Sequence, residues 1–150
     1  MNYSIRKATN ADAKAIADLS LELGYAATTP EIEQRLQLIL ENKEHCIFVA
    51  TINSEVIGWI HAFLAYRIES ALFAEIGGLV VAETHRKKGV GKLLVEQITS
   101  WANENNCPKI RVRCNRKKED AHIFYLKNGF VETKEQKIFD KDYTFFYKKQ

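Results

Sequence analysis

The chain has 150 residues, 46% hydrophobic and 27% charged, with a formal net charge of +3. That length suits one domain, taken as 1–150, with a proper core, and the composition is that of an ordinary globular protein. So slight a charge does not argue for nucleic acid, which is not expected as a partner, and no apolar run approaches membrane-spanning length.

The amino terminus, Met1-Asn2-Tyr3-Ser4-Ile5-Arg6-Lys7, has no apolar signal core. Tyr3 to Ala8 alternates as a first strand, and Thr9-Asn10-Ala11-Asp12 supplies a capping-box-like helix start. The helix is expected to run to about Leu23, with Ile16, Leu19 and Leu23 inward and Gly24 as its terminator. Thr29 then caps a second helix with Pro30 at its first position, burying Ile32, Leu36, Ile39 and Leu40. Two strands, Cys46 to Ile52 and Val56 to Phe63, flank Asn53-Ser54-Glu55 as a hairpin. A fourth strand covers Leu72 to Val81, and a third helix ends near Asn105-Asn106, before Pro108. Ile110 to Cys114 alternates as a fifth strand, and a fourth helix spans roughly Glu119 to Lys127, closed by Asn128-Gly129. A closing strand pair, Phe130 to Phe139 and Tyr143 to Tyr147, turns at Asp140-Lys141-Asp142. Cys46, Cys107 and Cys114 are odd in number and lack metal-ligand spacing. They read as reduced thiols of a cytoplasmic protein, with no metal site.

Between the fourth strand and the third helix lies Arg86-Lys87-Lys88-Gly89-Val90-Gly91-Lys92. Glycines let the backbone approach a ligand, and the first N–H groups of the helix lack intrahelical partners. With the helix dipole and the basic side chains, the stretch favours a phosphate or pyrophosphate. A P-loop would need a glycine at the place of Arg86 and Ser or Thr at the place of Leu93. A dinucleotide fingerprint would need a third glycine where Leu94 stands.

The remaining pattern, Arg86-x-x-Gly89-x-Gly91 after Leu79-Val80-Val81, resembles the acetyl-CoA pyrophosphate loop of the GNAT superfamily of N-acetyltransferases. The order β-α-α-β-β-β-α-β-α-β-β resembles that family along nearly the whole chain. A later stretch does too: Asn115, then Ala121 and Phe124-Tyr125, then Gly129-Phe130. The resemblance implies an α/β fold, with a mixed, mostly antiparallel sheet of about seven strands and four flanking helices. It also implies acetyl transfer from acetyl-CoA to a primary amine by direct attack, and a homodimer. Leu23-Gly24-Tyr25 before a capped helix is similar to a bacterial branch containing small-amine and aminoglycoside acetyltransferases. A small-molecule amine is the acceptor implied, with a protein amino group the alternative. A non-catalytic acyl-CoA sensor is the rival class.

On that resemblance Arg86, Lys87, Lys88, Gly89, Val90, Gly91 and Lys92 hold the pyrophosphate. Leu79, Val80 and Val81 offer backbone amides to pantetheine and to the carbonyl oxygen, and Ala121 leaves room for the arm. Asn115 is either a cofactor contact or a turn residue. Tyr125 is the implied acid for the leaving thiolate, against the reading of a core aromatic. For the base that must deprotonate the amine, Glu75 is favoured and His61 is second. Glu83 stands where many relatives have proline. Tyr25, Trp59, Gly77 and Gly78 are the acceptor-side candidates. Tyr25 reads equally as a packing lid, and the two glycines are expected to open space beside the strand. His45 and His85 read as surface residues and His122 as structural.

Overall fold

The structure is a computed structural model that describes residues 2–143. The chain divides after Arg113 into two compact units, each described by itself. In the first unit five strands lie side by side in chain order, each next to its neighbour in sequence. They are β1 (Ser4–Lys7), β2 (His45–Ile52), β3 (Glu55–Ala65), β4 (Phe73–Val81) and β5 (Ile110–Val112). The first four are antiparallel to their neighbours, whereas β5 joins β4 in parallel through the crossover helix α3 (Val90–Glu104). The β2–β3 hairpin turns on Asn53 and Ser54, at φ +50° and +67°. Positive φ at both central residues suits the twist of the flanking strands.

α1 (Ala13–Glu22) and α2 (Thr29–Leu40) cover one face of the sheet, where Ile16, Ala17, Ile32 and Leu36 meet Ile47 and Val49. Trp59 packs against this same cluster. Its neighbour Gly58 faces the other way, and a side chain there would meet Val90 and Leu94 of α3. The alternation of β3 thus separates two helical layers, with Ile60, Leu94 and Ile98 fully buried on the α3 side.

Asp12 ties the amino-terminal turn together. Its carboxylate accepts two bonds from Arg6, both 2.9 Å, and one from the Thr9 backbone N–H at 2.8 Å. Three details depart from the sequence reading. The α2 cap is Thr28, whose hydroxyl accepts from Glu31 N–H while Glu31 accepts from Thr28 N–H, so Pro30 lies one position further in. Leu23 follows the end of α1 and is 38% exposed, so it is no inward residue. β5 ends at Val112, two residues short of the expected Cys114.

The second unit holds α4 (Glu119–Lys127), closed by Gly129 at φ +90°. The α/β class and the four helices stand, but the described residues hold five strands rather than about seven. Residues 130–143 form no strand, and Val131, Ile138 and Phe139 are largely exposed. Alternation alone is insufficient, since a strand exists only where a partner takes its hydrogen bonds. The second expected strand, Tyr143 to Tyr147, lies outside the described residues except for Tyr143.

Candidate active site

β4 is paired with β5 only over Ala74–Ile110, Glu75–Arg111 and Ile76–Val112. From Gly77 to Val81 it runs on beside β3 alone. Its other edge therefore presents backbone N–H and C=O groups with no strand partner among the described residues, the arrangement expected for Leu79, Val80 and Val81.

The point of departure is a bulge. His61 pairs with Gly78 and Ala62 with Ile76, so Gly77 is the extra residue. Side chains at Gly77 and Gly78 would both point toward β3's ring-bearing face: a Cβ at Gly77 would come within 2.6 Å of His61 Nδ1, and one at Gly78 within 2.7 Å of the Trp59 ring. The glycines do not leave open space. They make room for the His61 and Trp59 rings, and this corrects the reading of a vacant acceptor cavity there.

These rings belong to a cluster that sequence spacing did not reveal. His61 Nε2 and His45 Nδ1 lie 2.9 Å apart, their rings within 10° of parallel, and Phe63 lies against both. Burial, then the neighbouring His45, holds His61 down to about 4, so its imidazole is neutral near neutral pH. His45 is therefore no isolated surface residue, and neither is His85, whose Nδ1 is 2.9 Å from the Tyr3 hydroxyl. The signal for the pair was present in the β2–β3 hairpin: His61 faces Ile47, and His45 lies two residues along β2 on the same face. Trp59 Nε1 is a buried donor without a partner among the described residues.

Glu75 stands beside this cluster, in register with Phe63, but its carboxylate is engaged. Both oxygens lie 3.3 Å from Arg113 Nε, and the side chain is 11% exposed. Arg111 turns onto the Phe73 ring at 4.4 Å.

Beyond β4 the backbone forms a concave basic turn. Lys87 at φ +62° and Gly89 at φ +87° are both left-handed, and α3 starts immediately after Gly89. Such alternation points successive N–H groups to one side, where they meet the helix N-terminus. Arg86 donates through Nε to Val81 C=O at 3.0 Å, fastening the turn to the end of β4. Lys87, Lys88 and Lys92 are exposed, whereas the Val90 side chain is buried in the core, so that residue offers only its backbone.

In the second unit Tyr125 packs edge-on against Phe124 and Phe130, at 5.1 and 5.2 Å between ring centres. Burial, with a smaller effect from the Cys114 thiol, pushes its phenol above the ordinary range, so it retains its proton. Asn115 Oδ1 accepts from Lys117 N–H at 2.9 Å, and its carbonyl lies 2.9 Å from His122 Nε2. That is turn chemistry, and it gives His122 the structural role expected. Tyr25 is 56% exposed, too open for a packing lid. The three cysteines are free, and no cluster of metal-ligating side chains exists among the described residues.

The fold is that of a crossover α/β sheet whose fourth strand parts from the fifth, with a basic, glycine-containing turn leading into α3. The chain belongs to the acetyltransferase (GNAT) family, whose model matches residues 13–130. It is 30% identical to an uncharacterized N-acetyltransferase of Chlorobaculum tepidum, over 93% of this chain and 78% of that protein. It is 26% identical to an aminoglycoside N(6')-acetyltransferase type 1 of Stenotrophomonas maltophilia, over 87% of each. The aminoglycoside 6'-N-acetyltransferase structure from Acinetobacter haemolyticus superposes with a TM-score of 0.83 at 23% identity, covering 95% of this chain and 99% of that one, a likeness of fold. The protein is thus an acetyltransferase of the GNAT kind.

Proposed function

We propose that the protein transfers the acetyl group of acetyl-CoA to the primary amine of a small molecule, by direct attack with both substrates bound. The observation that carries this reading is the continuity of two features: the edge of β4 freed after Ile76, and the left-handed basic turn into which it runs. A pantetheine arm has amide groups that such an edge can pair with, and a pyrophosphate has the charge that such a turn attracts, so the residues present fit acetyl-CoA. When bound, it supplies a thioester carbonyl already reactive toward amines.

The chain's own groups do the rest. Arg86 holds the turn against β4, and the N–H groups of Gly89 to Lys92 with the nearby lysines take the phosphates. An amide of the Leu79–Val81 edge is available to the carbonyl oxygen as charge develops there. The proton of the departing thiolate is assigned to Tyr125 by its place in the family pattern, and its phenol is held protonated. For the base we favour His61 over Glu75. Glu75 is committed to Arg113, whereas His61 is neutral and adjoins the bulge from which the freed edge begins.

The test is thiol release from acetyl-CoA across a panel of small polyamines, aminoglycosides, simple amino compounds and a lysine peptide. Turnover is expected with a small amine, and loss of acetyl-CoA binding in Gly89→Glu. Nothing lies within 4 Å of a side chain at Gly89, so charge and the positive φ, rather than crowding, would act there. Binding without turnover on any amine would identify a sensor and refute the enzyme reading.

A further inference from the structure

We propose that His45 is a second proton-carrying residue, and that His61 and His45 form a two-ring wire leading the acceptor's proton from the acyl site to solvent. The inference rests on the acetyltransferase reading above and deepens it.

The geometry supplies both a link and two ends. The link is the 2.9 Å contact between His61 Nε2 and His45 Nδ1, in rings nearly parallel and fixed by Phe63 at 5.8 and 5.5 Å. The ends are His61 Nδ1 and His45 Nε2, for which no hydrogen-bond partner occurs among the described residues. Trp59 Nε1 is the one buried side-chain polar atom without a partner among those residues, so neither imidazole end is sealed off from solvent. The His61 end lies over Gly77, the residue at which β4 parts from β5, in space that any side chain at that position would occupy.

A single half-buried imidazole is a poor resting place for a proton, because burial penalises its charged form. Two linked rings avoid that penalty. In the starting tautomers each ring carries its proton on Nε2, and His61 Nε2–H donates to His45 Nδ1. As the attacking amine bonds to the carbonyl carbon, its proton passes to His61 Nδ1. The Nε2–H of His61 moves to His45 Nδ1, and the Nε2–H of His45 leaves to solvent. One proton enters and one leaves. Both rings end neutral in their other tautomers. The start is restored after product leaves, when His45 Nε2 takes a proton from solvent, the inner proton returns from His45 Nδ1 to His61 Nε2, and His61 Nδ1–H is given up to water. Glu75 and Arg113, the charged pair on the same face, neutralise each other and leave the transfer to the imidazoles.

The experiment compares His45→Phe, His45→Gln, His61→Phe and the double Phe variant with the wild-type enzyme on an amine that it acetylates. A wire makes the losses non-additive: each single variant should lower kcat by about 10²-fold, the double no further, with the KM for acetyl-CoA unchanged. His45→Gln should fail like His45→Phe, since an amide keeps a hydrogen bond but does not relay a proton. The wild-type proton inventory in mixed light and heavy water should curve, showing more than one proton in flight, and become linear in His45→Phe. Full kcat in His45→Gln, or losses that add in the double variant, would make His45 a packing residue and overturn the wire alone. Absence of turnover by the wild type on every amine would overturn the acetyltransferase reading and the wire with it.

Discussion

At the scale of single residues, burial keeps particular side chains in one protonation state. Tyr125 sits among Phe124 and Phe130 and holds its proton; His61 sits among His45 and Phe63 and stays without its second one. Tyr125→Phe keeps the ring and its edge-on contacts while removing the hydroxyl. Its kcat should fall by ~10²-fold or more with acetyl-CoA affinity little changed, as paired turnover and calorimetric measurements would show. Undiminished turnover would make Tyr125 a packing aromatic. The motif made Tyr125 legible in the sequence. His45 was not, because only the register of the β2–β3 hairpin brings it to a partner sixteen residues away.

At the scale of elements, β4 does the most. Its bulge at Gly77 turns two consecutive positions to one face, and glycine at both lets the His61 and Trp59 rings lie against the strand. Gly77→Ala places a methyl group 2.6 Å from His61 Nδ1, so the ring must move. We expect it to cost about 1–3 kcal/mol in denaturant unfolding, the scale of overpacking, and to depress kcat by displacing His61. An alanine variant with wild-type stability and turnover would show that the ring is not confined there. The basic turn is a second such element. Lys87 holds a left-handed conformation that glycine adopts freely, so Lys87→Gly should leave folding stability unchanged or slightly raised while weakening acetyl-CoA binding through the lost charge. Unfolding midpoints and titration calorimetry separate the two effects.

At the scale of the whole molecule, acid should weaken the fold in two stages. The folded pKa of His61 lies near 4, below the ~6.5 of an unfolded histidine. As pH falls between those values the unfolded chain takes the proton first, so stability drops across that window. Asp12 acts further down. Its carboxyl is depressed chiefly by the Arg6 hydrogen bonds, so its contribution is complete above the ~4 of an unfolded aspartate and is lost as pH falls through the lower folded value. Unfolding free energies measured from pH 7 to pH 3 should show both stages. His61→Phe should remove the first and Asp12→Asn the second; identical profiles in the variants would disprove the assignment. We also propose a homodimer, to be checked by equilibrium sedimentation, with monomer at high concentration the contrary result.

The sequence by itself determined the layered α/β order, the family and the basic glycine-containing turn before α3, because these depend on local information: hydrophobic period, caps, and glycines next to a helix start. It also brought His61 and Glu75 forward as bases, by their places on adjacent strands. Tertiary structure set their surroundings apart, since only the folded chain brings Arg113 to Glu75 and His45 to His61. It decided too that Gly77 and Gly78 are filled rather than open, because a bulge is a mismatch between two strands and neither strand records it alone. The alternating stretch after Phe130 shows the same limit from the other side: its pattern reads as a strand, but a strand needs a partner's hydrogen bonds, and residues 130–143 have no such partner strand among the described residues.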